Sequence, residues 1–434
     1  MVSRARRNAQ TGLVGLTFFT LFAPDAWRNL VGWWGYLALA GVLVITWLVI
    51  VLRQRRILYW RSLPASLMAF LIWAGISISW SHYPAESGLG WMATLATAFV
   101  AFAIVLTTDR AELVRGLGFA LRWILALSLA FEAAVALFVR QPVLPLWVSW
   151  GTAKIPSAFY WSQGKLLSLG PIQGIVGNRN LLGFIALLAL IIFCVQLADR
   201  SVWRGSGVLW IIIAAGTVLL TRSSTVWVAL VVVAIVAGMA LWTRALRVSR
   251  RWPVYTTAWV GGIGLLATAS LWWNPVMSAL GRSSDATGRG EIWNAVWGLI
   301  VQRPVVGWGW ISYWAPWVDP FNHLAERKGV LYLQAHNAWL DLWMQVGIIG
   351  AVLFAIAALM GLWRSWFLAV DRPRWDLESP RPFTAHALMP LLLAAALLAQ
   401  SVAESRILIE GGFALFVAIL CAVKMPARGL GERR

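Results

Sequence analysis

The chain has 434 residues, of which 60% are hydrophobic and only 12% are charged. Because a typical soluble domain carries about 25% charged residues, a soluble enzyme is excluded and a polytopic membrane protein is predicted. The net charge of +19 is explained by basic residues in cytoplasmic loops, so it does not support nucleic-acid binding. Both cysteines, Cys194 and Cys421, lie in apolar runs, and no disulfide framework is predicted.

Twelve apolar stretches are predicted to cross the membrane as helices, because each reaches or approaches the roughly 20 residues that a crossing requires. The first follows a basic N-terminus that resembles a signal peptide, but Ala23-Pro24-Asp25-Ala26 is a poor cleavage site. The first and seventh stretches are short for a full crossing, and the alternative is that they are tilted or re-entrant. The predicted spans are 12–25, 30–52, 64–81, 89–107, 117–139, 173–197, 207–221, 224–243, 255–273, 336–363, 384–402 and 406–423.

The topology follows from the basic residues, which concentrate in alternate loops. Arginine clusters at 53–61, 244–251 and 364–381 are assigned to the cytoplasmic side, together with both termini. Two outer loops are long, 140–172 and 274–335, and function is expected on such loops. We find no fixed-period repeat or linker and predict an all-α protein in which residues 1–434 form one transmembrane domain.

The second outer loop is predicted to contain a short amphipathic helix at 289–302, which Pro304 ends. Its apolar face consists of Ile292, Trp293, Val296, Trp297 and Ile300. Such a helix suits a membrane surface. Arg289 lies in its first turn, where a guanidinium beside unpaired backbone N–H groups suits phosphate oxygens; alternatively, it anchors the helix to lipid headgroups. Arg282 lies in the same loop.

His336 and Asn337 stand at the predicted outer end of span 336–363. Imidazole titrates near neutral pH and is therefore suited to act as a general base, although a histidine at a helix start is often only a capping or interface residue. Asp341 is an unsuitable orienting partner, because five residues along an α-helix correspond to about 140° around its axis. Glu404 and Glu410, which flank the last outer turn, are better suited to that role.

Three further polar sites lie near the predicted outer surface. Gly177-Asn178-Arg179-Asn180 opens the sixth span, where it either binds a sugar or phosphate or caps the helix. Arg222 lies in a tight turn between two spans, where topology does not require an arginine. Glu132, within the fifth span, is either functional or paired with an arginine. No metal-ligand cluster and no phosphate-binding glycine loop occurs on the outer side, so neither a metal ion nor a nucleotide cofactor is predicted.

Four segments make the chain resemble the O-antigen ligase and polymerase superfamily of bacterial envelope glycosyltransferases. They are Gly177-Asn-Arg-Asn180, Thr221-Arg-Ser-Ser224, Gly288-Arg-Gly-Glu-Ile-Trp293 through Pro304-Val-Val-Gly-Trp-Gly309, and His336-Asn337 followed after nine residues by Gly347-Ile-Ile-Gly350. The resemblance covers about 170–350 in sequence and the rest only in topology.

The resemblance implies transfer of a glycan from undecaprenyl pyrophosphate to an acceptor hydroxyl at the outer face of the bacterial cytoplasmic membrane, without metal or nucleotide. It further implies that Arg222 and Arg289 hold the pyrophosphate and that His336 activates the acceptor. The resemblance does not identify the acceptor, which is a lipid A core, another lipid-linked repeat or a protein. The residues predicted to bind substrate are Asn178, Arg179, Asn180, Arg282, Asn337 and Glu404.

A twelve-span transporter or lipid-linked glycan flippase is the main alternative. Transporters place ionisable groups and broken helices near the bilayer midplane, whereas the unusual charges of this chain are predicted at one surface. A structural partner in an envelope assembly is a third interpretation, and it would not require His336.

Overall fold

The computed structural model describes residues 4–54, 63–148, 155–279, 289–327, 330–372 and 382–425. Within these ranges the chain is almost entirely helical, which confirms the predicted all-α class, and its one antiparallel strand pair is β1 (Glu326–Arg327) with β2 (Val330–Leu331). The helices are α1 (Arg4–Phe22), α2 (Pro24–Arg53), α3 (Ala65–Ile76), α4 (Pro84–Thr107), α5 (Arg110–Ala134), α6 (Arg179–Ala198), α7 (Arg204–Thr221), α8 (Ser224–Ala245), α9 (Trp252–Ala279), α10 (Arg289–Gln302), α11 (Ala338–Val370), α12 (Met389–Ser401) and α13 (Glu410–Lys424).

Seven of the described helices are long and apolar enough to cross a membrane, judged by length and composition. They confirm a polytopic membrane protein, while the number of twelve crossings stays a prediction. The seven are Pro24–Arg53, Pro84–Thr107, Arg110–Val139, Arg179–Ala198, Arg204–Thr221, Ser224–Ala245 and Ala338–Val370, and two shorter apolar segments are Ala65–Trp80 and Ala385–Ser401.

Several helices begin at residues that differ from the predicted bounds, and local backbone geometry accounts for the differences. α1 starts at Arg4, and only Ala23 separates it from α2, so the first turn is shorter than predicted. α2 kinks at Gly32, whose φ of 75° is readily adopted by glycine. α6 and α11 begin later than predicted, at Arg179 and Ala338, because the residue before each is an asparagine N-cap.

The largest hydrophobic core is organised around α6, which is apolar on all sides. Most of its residues are buried, including Phe184, Leu188 and Phe193, as expected for a helix surrounded by others. It packs against α5, α7, α8 and α12, and α11 packs against α12 in turn. α12 therefore brings α6 and α11 close to each other.

α10 and the segment that follows it belong to a second hydrophobic core. One face of α10 is buried in it through Ile292, Val296 and Ile300, and the stacked rings of Trp314 and Phe321 belong to the same core. α10 covers the residues of the predicted surface helix, but its apolar face is used for packing within the protein. Its location at a membrane surface stays a prediction.

Two of the four sequence segments dock onto each other through their backbones. The N–H groups of Trp308 and Gly309 donate to two carbonyl oxygens of α11 at 3.0 and 2.8 Å. This approach requires Gly347, which has a φ of 66°, because an added Cβ would lie 2.0 Å from the carbonyl oxygen of Val305. A glycine at this position therefore lets the segment after α10 lie directly against α11.

The loop between α5 and α6 is anchored by Glu132, near the end of α5. Its carboxylate accepts hydrogen bonds from the Ser162 hydroxyl at 2.8 Å and from the backbone N–H groups of Gln173 and Gly174 at 2.9 and 2.8 Å. No described arginine forms an ion pair with it, so arginine pairing does not explain this carboxylate. It instead holds two parts of the loop to α5.

Candidate active site

His336 lies one residue before the N-cap of α11. Asn337 is that cap, and its side-chain oxygen accepts hydrogen bonds from the backbone N–H groups of Trp339 and Leu340 at 3.0 and 3.2 Å. At His336 the backbone has a φ of 50°, in the left-handed region. The imidazole is mostly buried, with 16% of the side chain exposed, and it contacts the ring of Tyr332 edge-on.

Glu404, in the turn between α12 and α13, is where the polar side chains meet. Its Oε2 lies 2.9 Å from Nδ1 of His336. Its Oε1 accepts hydrogen bonds from Nη2 of Arg289 at 3.1 Å and from Nδ2 of Asn180 at 3.0 Å. Because Glu404 is only 4% exposed, these donors replace water around the carboxylate. Side chains from three distant parts of the sequence therefore converge on one group.

The charge of Glu404 is stabilised by its neighbours. Burial raises the pKa of a carboxyl, but the charge and hydrogen bond of His336, followed by the charges of Arg289 and Arg406, outweigh burial and lower the pKa of Glu404 below its ordinary value. Glu404 is therefore ionised at neutral pH and only accepts hydrogen bonds. Because an ionised Glu404 only accepts, a proton is assigned to Nδ1; whenever the imidazole is neutral, the lone pair of Nε2 is free.

The turn of Arg222 is joined to this cluster through Ser223. The Ser223 hydroxyl donates to Oδ1 of Asn180 at 2.8 Å, and Asn180 donates in turn to Glu404. Arg222 has a left-handed backbone, with a φ of 46°, at the end of α7, and its side chain is exposed. Its guanidinium, like that of the exposed Arg179, forms no hydrogen bond or ion pair with any residue that the structure describes.

A second group of paired charges lies beside the cluster, where α2 and α13 begin. Arg28 pairs with Asp25 at 2.9 Å and also with Glu410. Arg406 pairs with Glu410 at 3.4 Å. Glu410, the other carboxylate that the sequence offered as an orienting partner for the imidazole, is therefore engaged by arginines instead.

The predicted site residues that the structure describes fall into three groups. His336, Arg289, Asn180 and Glu404 are brought into contact, whereas the guanidiniums of Arg222 and Arg179 are exposed and outside the contact cluster. Asn337 and Asn178 cap α11 and α6, the latter with bonds of 2.9 and 3.1 Å; substrate binding by these two stays a prediction. Arg282 lies outside the described residues. Sequence reasoning did not single out Ser223, although its place beside Arg222 in Thr221-Arg-Ser-Ser224 was an available signal.

Among the described residues, no group of three or more histidine, cysteine, aspartate or glutamate side chains is arranged to hold a metal ion. The positive charges next to Glu404 come from arginines, which are suited to planar, bidentate contacts with phosphate oxygens.

Comparisons with known proteins find similarity over the part of the chain that carries Arg222, Arg289 and His336. Residues 209–355, which include Arg222, Arg289 and His336, match the family model described as O-antigen ligase. The chain is also 26% identical over 308 residues to the exopolysaccharide production protein ExoQ of Rhizobium meliloti (strain 1021). The region 209–355 is therefore similar to the O-antigen ligase superfamily. The match to ExoQ covers 67% of this chain and 62% of ExoQ, so the chain spans less than two thirds of that relative.

This similarity, together with the long apolar helices, supports a bacterial membrane protein. Asn180 and Glu404 lie outside the matched residues 209–355. Residues from both sides of the matched range therefore complete the contact cluster: Asn180 lies on α6, and Glu404 follows α12.

Proposed function

We propose that this chain transfers a glycan from undecaprenyl pyrophosphate to an acceptor hydroxyl at the outer face of the bacterial cytoplasmic membrane, as an O-antigen ligase or a polysaccharide polymerase. The observation that carries the proposal is the contact of one buried carboxylate, Glu404, with both His336 and Arg289. A proton acceptor and a phosphate-binding cation are thereby held next to each other, as such a transfer requires.

On the acceptor side, His336 is the proposed base. Its Nε2 takes the proton of the acceptor hydroxyl while the acceptor oxygen attacks the anomeric carbon of the donor glycan. The imidazole becomes an imidazolium, and the negative charge of Glu404, 2.9 Å from Nδ1, stabilises it. Glu404 thus has the role of the carboxylate that orients the histidine in a catalytic triad.

On the donor side, the bond between the anomeric carbon and the pyrophosphate oxygen breaks, and its electron pair leaves with undecaprenyl pyrophosphate. Arg289 and Arg222 are the proposed partners of the growing negative charge. Removing one such donor from a poorly hydrated site costs about 2.7–4 kcal/mol of transition-state stabilisation. The exposed guanidinium of Arg222, which no described residue engages, is available to an incoming phosphate.

Arg289 is proposed to act on both the acceptor side and the donor side of the reaction. One of its nitrogens, Nη2, contacts Glu404, and 16% of its side chain is exposed, so the guanidinium can meet a phosphate from its other edge. A bound pyrophosphate competes with Glu404 for this positive charge. We infer that donor binding weakens the interaction of Arg289 with Glu404. The carboxylate then interacts more strongly with the imidazole, which favours proton uptake by His336.

The test uses purified protein in lipid nanodiscs with an undecaprenyl-pyrophosphate glycan and several acceptors. Mass spectrometry is expected to show an acceptor that has gained the glycan and one released undecaprenyl pyrophosphate per transfer. Single additions indicate a ligase, and lengthening chains indicate a polymerase. An unchanged donor that instead moves between the leaflets of protein-containing vesicles would contradict the proposal and favour the flippase alternative.

A further inference from the structure

Asp341 is a buried carboxylate to which the proposed chemistry gives no role. It lies in the first turn of α11 and is only 2% exposed. Its Oδ1 accepts a hydrogen bond from Nε1 of Trp314 at 2.9 Å, and its Oδ2 accepts from the backbone N–H of Ala335 at 3.1 Å and from the hydroxyl of Ser405. A buried carboxylate is costly unless it is well hydrogen-bonded, and here the donors come from three separate segments.

Two of these donors adjoin the residues of the proposed base. Ala335 immediately precedes His336, and Ser405 immediately follows Glu404. Both donate to the same oxygen of Asp341. A single atom therefore ties together the two chain segments that carry the imidazole and its carboxylate partner, although these segments are 68 residues apart.

The backbone at His336 depends on such support. Its φ of 50° lies in the left-handed region, which residues with a side chain rarely adopt unless the surroundings enforce it. The carbonyl oxygen of Ala335 is held as well, because it accepts a hydrogen bond from Nε1 of Trp293 at 3.0 Å. Trp293 lies one helical turn after Arg289 on α10. Both backbone polar groups of the residue before His336 are thus fixed by side chains.

We propose that Asp341 is a positioning residue that fixes the imidazole of His336 against Glu404 through Ala335 and Ser405, without touching the substrate. The inference rests on the proposed function, because it assigns Asp341 to the support of the proposed base. It also explains how Asp341 serves the site although its hydrogen bonds are to Trp314, Ala335 and Ser405 and not to the imidazole.

The substitution Asp341→Asn separates positioning from simple burial, because an amide of nearly the same shape cannot serve all three donors. If the amide oxygen faces Trp314, the amide NH₂ group opposes the N–H of Ala335; in the flipped orientation it opposes the indole N–H. Ser405 adapts to either arrangement, since its hydroxyl also accepts hydrogen bonds. We expect kcat to fall about 10- to 100-fold, as for a small misplacement of a catalytic group, with an unchanged KM for the donor.

The matched control is Asp371→Asn, at the other end of α11, where Asp371 pairs with Arg251. This variant is expected to keep the wild-type kcat. A further variant combines Asp341→Asn with Glu404→Gln. If Asp341 acts through the pair of His336 and Glu404, the two losses are not additive, whereas damage to the fold in general would leave them additive.

A wild-type kcat for Asp341→Asn, or additive losses in the double variant, would overturn the role of Asp341. If Asp341→Asn does not fold, Ser405→Ala decides the question, because it removes a single hydrogen bond; a lower kcat with an unchanged donor KM supports the inference, and a wild-type kcat overturns it. Failure of the proposed function is distinguishable, since wild-type protein would then transfer no glycan at all.

Discussion

Glu404→Gln is the sharpest test of how the cluster works. Two donors, from Arg289 and Asn180, face Oε1, whereas His336 is the one described residue that bonds to Oε2. The amide oxygen of the substituted side chain is therefore expected to stay with the two donors, because each donor left unpaired costs about 1–3 kcal/mol. The amide NH₂ group then faces Nδ1, which must accept a hydrogen bond, so the proton of the neutral imidazole moves to Nε2 and the base is lost.

The corresponding amide substitution in a serine-protease triad lowers kcat by about 10⁴-fold while the geometry is kept, which is about 5 kcal/mol of activation free energy. We expect a loss approaching this size for Glu404→Gln, with a nearly unchanged donor KM, in the nanodisc transfer assay. Glu86→Gln is the control, because Glu86 bonds only to the indole of Trp317 among described residues. A Glu404→Gln variant with a kcat close to that of the wild type would refute the tautomer reasoning.

Three further variants or conditions test the surroundings of the cluster. Arg289→Lys is expected to lower kcat about 10²-fold, because an ammonium keeps the charge but lacks the planar fork; wild-type turnover would leave Arg289 as a lipid anchor only. Because the pKa of Glu404 is lowered in the folded state, its ionisation stabilises the fold fully above the ordinary pKa of 4.5 and progressively less as the pH falls through the folded-state pKa. The thermal midpoint of the wild type should therefore drop more steeply below pH 4.5 than that of Glu404→Gln. Parallel curves would contradict this coupling. Gly347→Ala should sharply reduce the yield of folded protein, since its Cβ would lie 2.0 Å from a backbone oxygen; Gly216→Ala, with no atom within 4 Å, is the control, and equal yields would contradict the packing account.

The helices were the most predictable part of the molecule. Long apolar runs must cross or pack in a nonpolar environment with all backbone groups paired, so composition alone locates them. The first residue of each helix was less predictable, because it depends on which side chain accepts hydrogen bonds from the first backbone N–H groups of the helix. Asn178 and Asn337 could have been read as caps or as ligands, and the structure shows the bonds of a cap at both.

The contacts of the site were only partly predictable. The sequence offered Glu404 and Glu410 as partners of the imidazole, but their positions along one turn do not decide which of them faces it. The helical angle predicted between His336 and Asp341 does not apply, because His336 lies before the N-cap of α11, and it says nothing about the backbone of Ala335 or about Ser405. Contacts between segments so far apart in the chain follow from tertiary packing, which a local pattern does not encode.

The central claim is that His336 is the base of a glycan transfer. The decisive measurement is the single-turnover rate of His336→Ala in nanodiscs loaded with the lipid-linked donor, compared with His323→Ala, which changes an exposed histidine of the segment between α10 and α11. We predict that His323→Ala transfers glycan at the wild-type rate, whereas His336→Ala retains bound donor and forms no product. Product formation by His336→Ala at the rate of the control would contradict the claim.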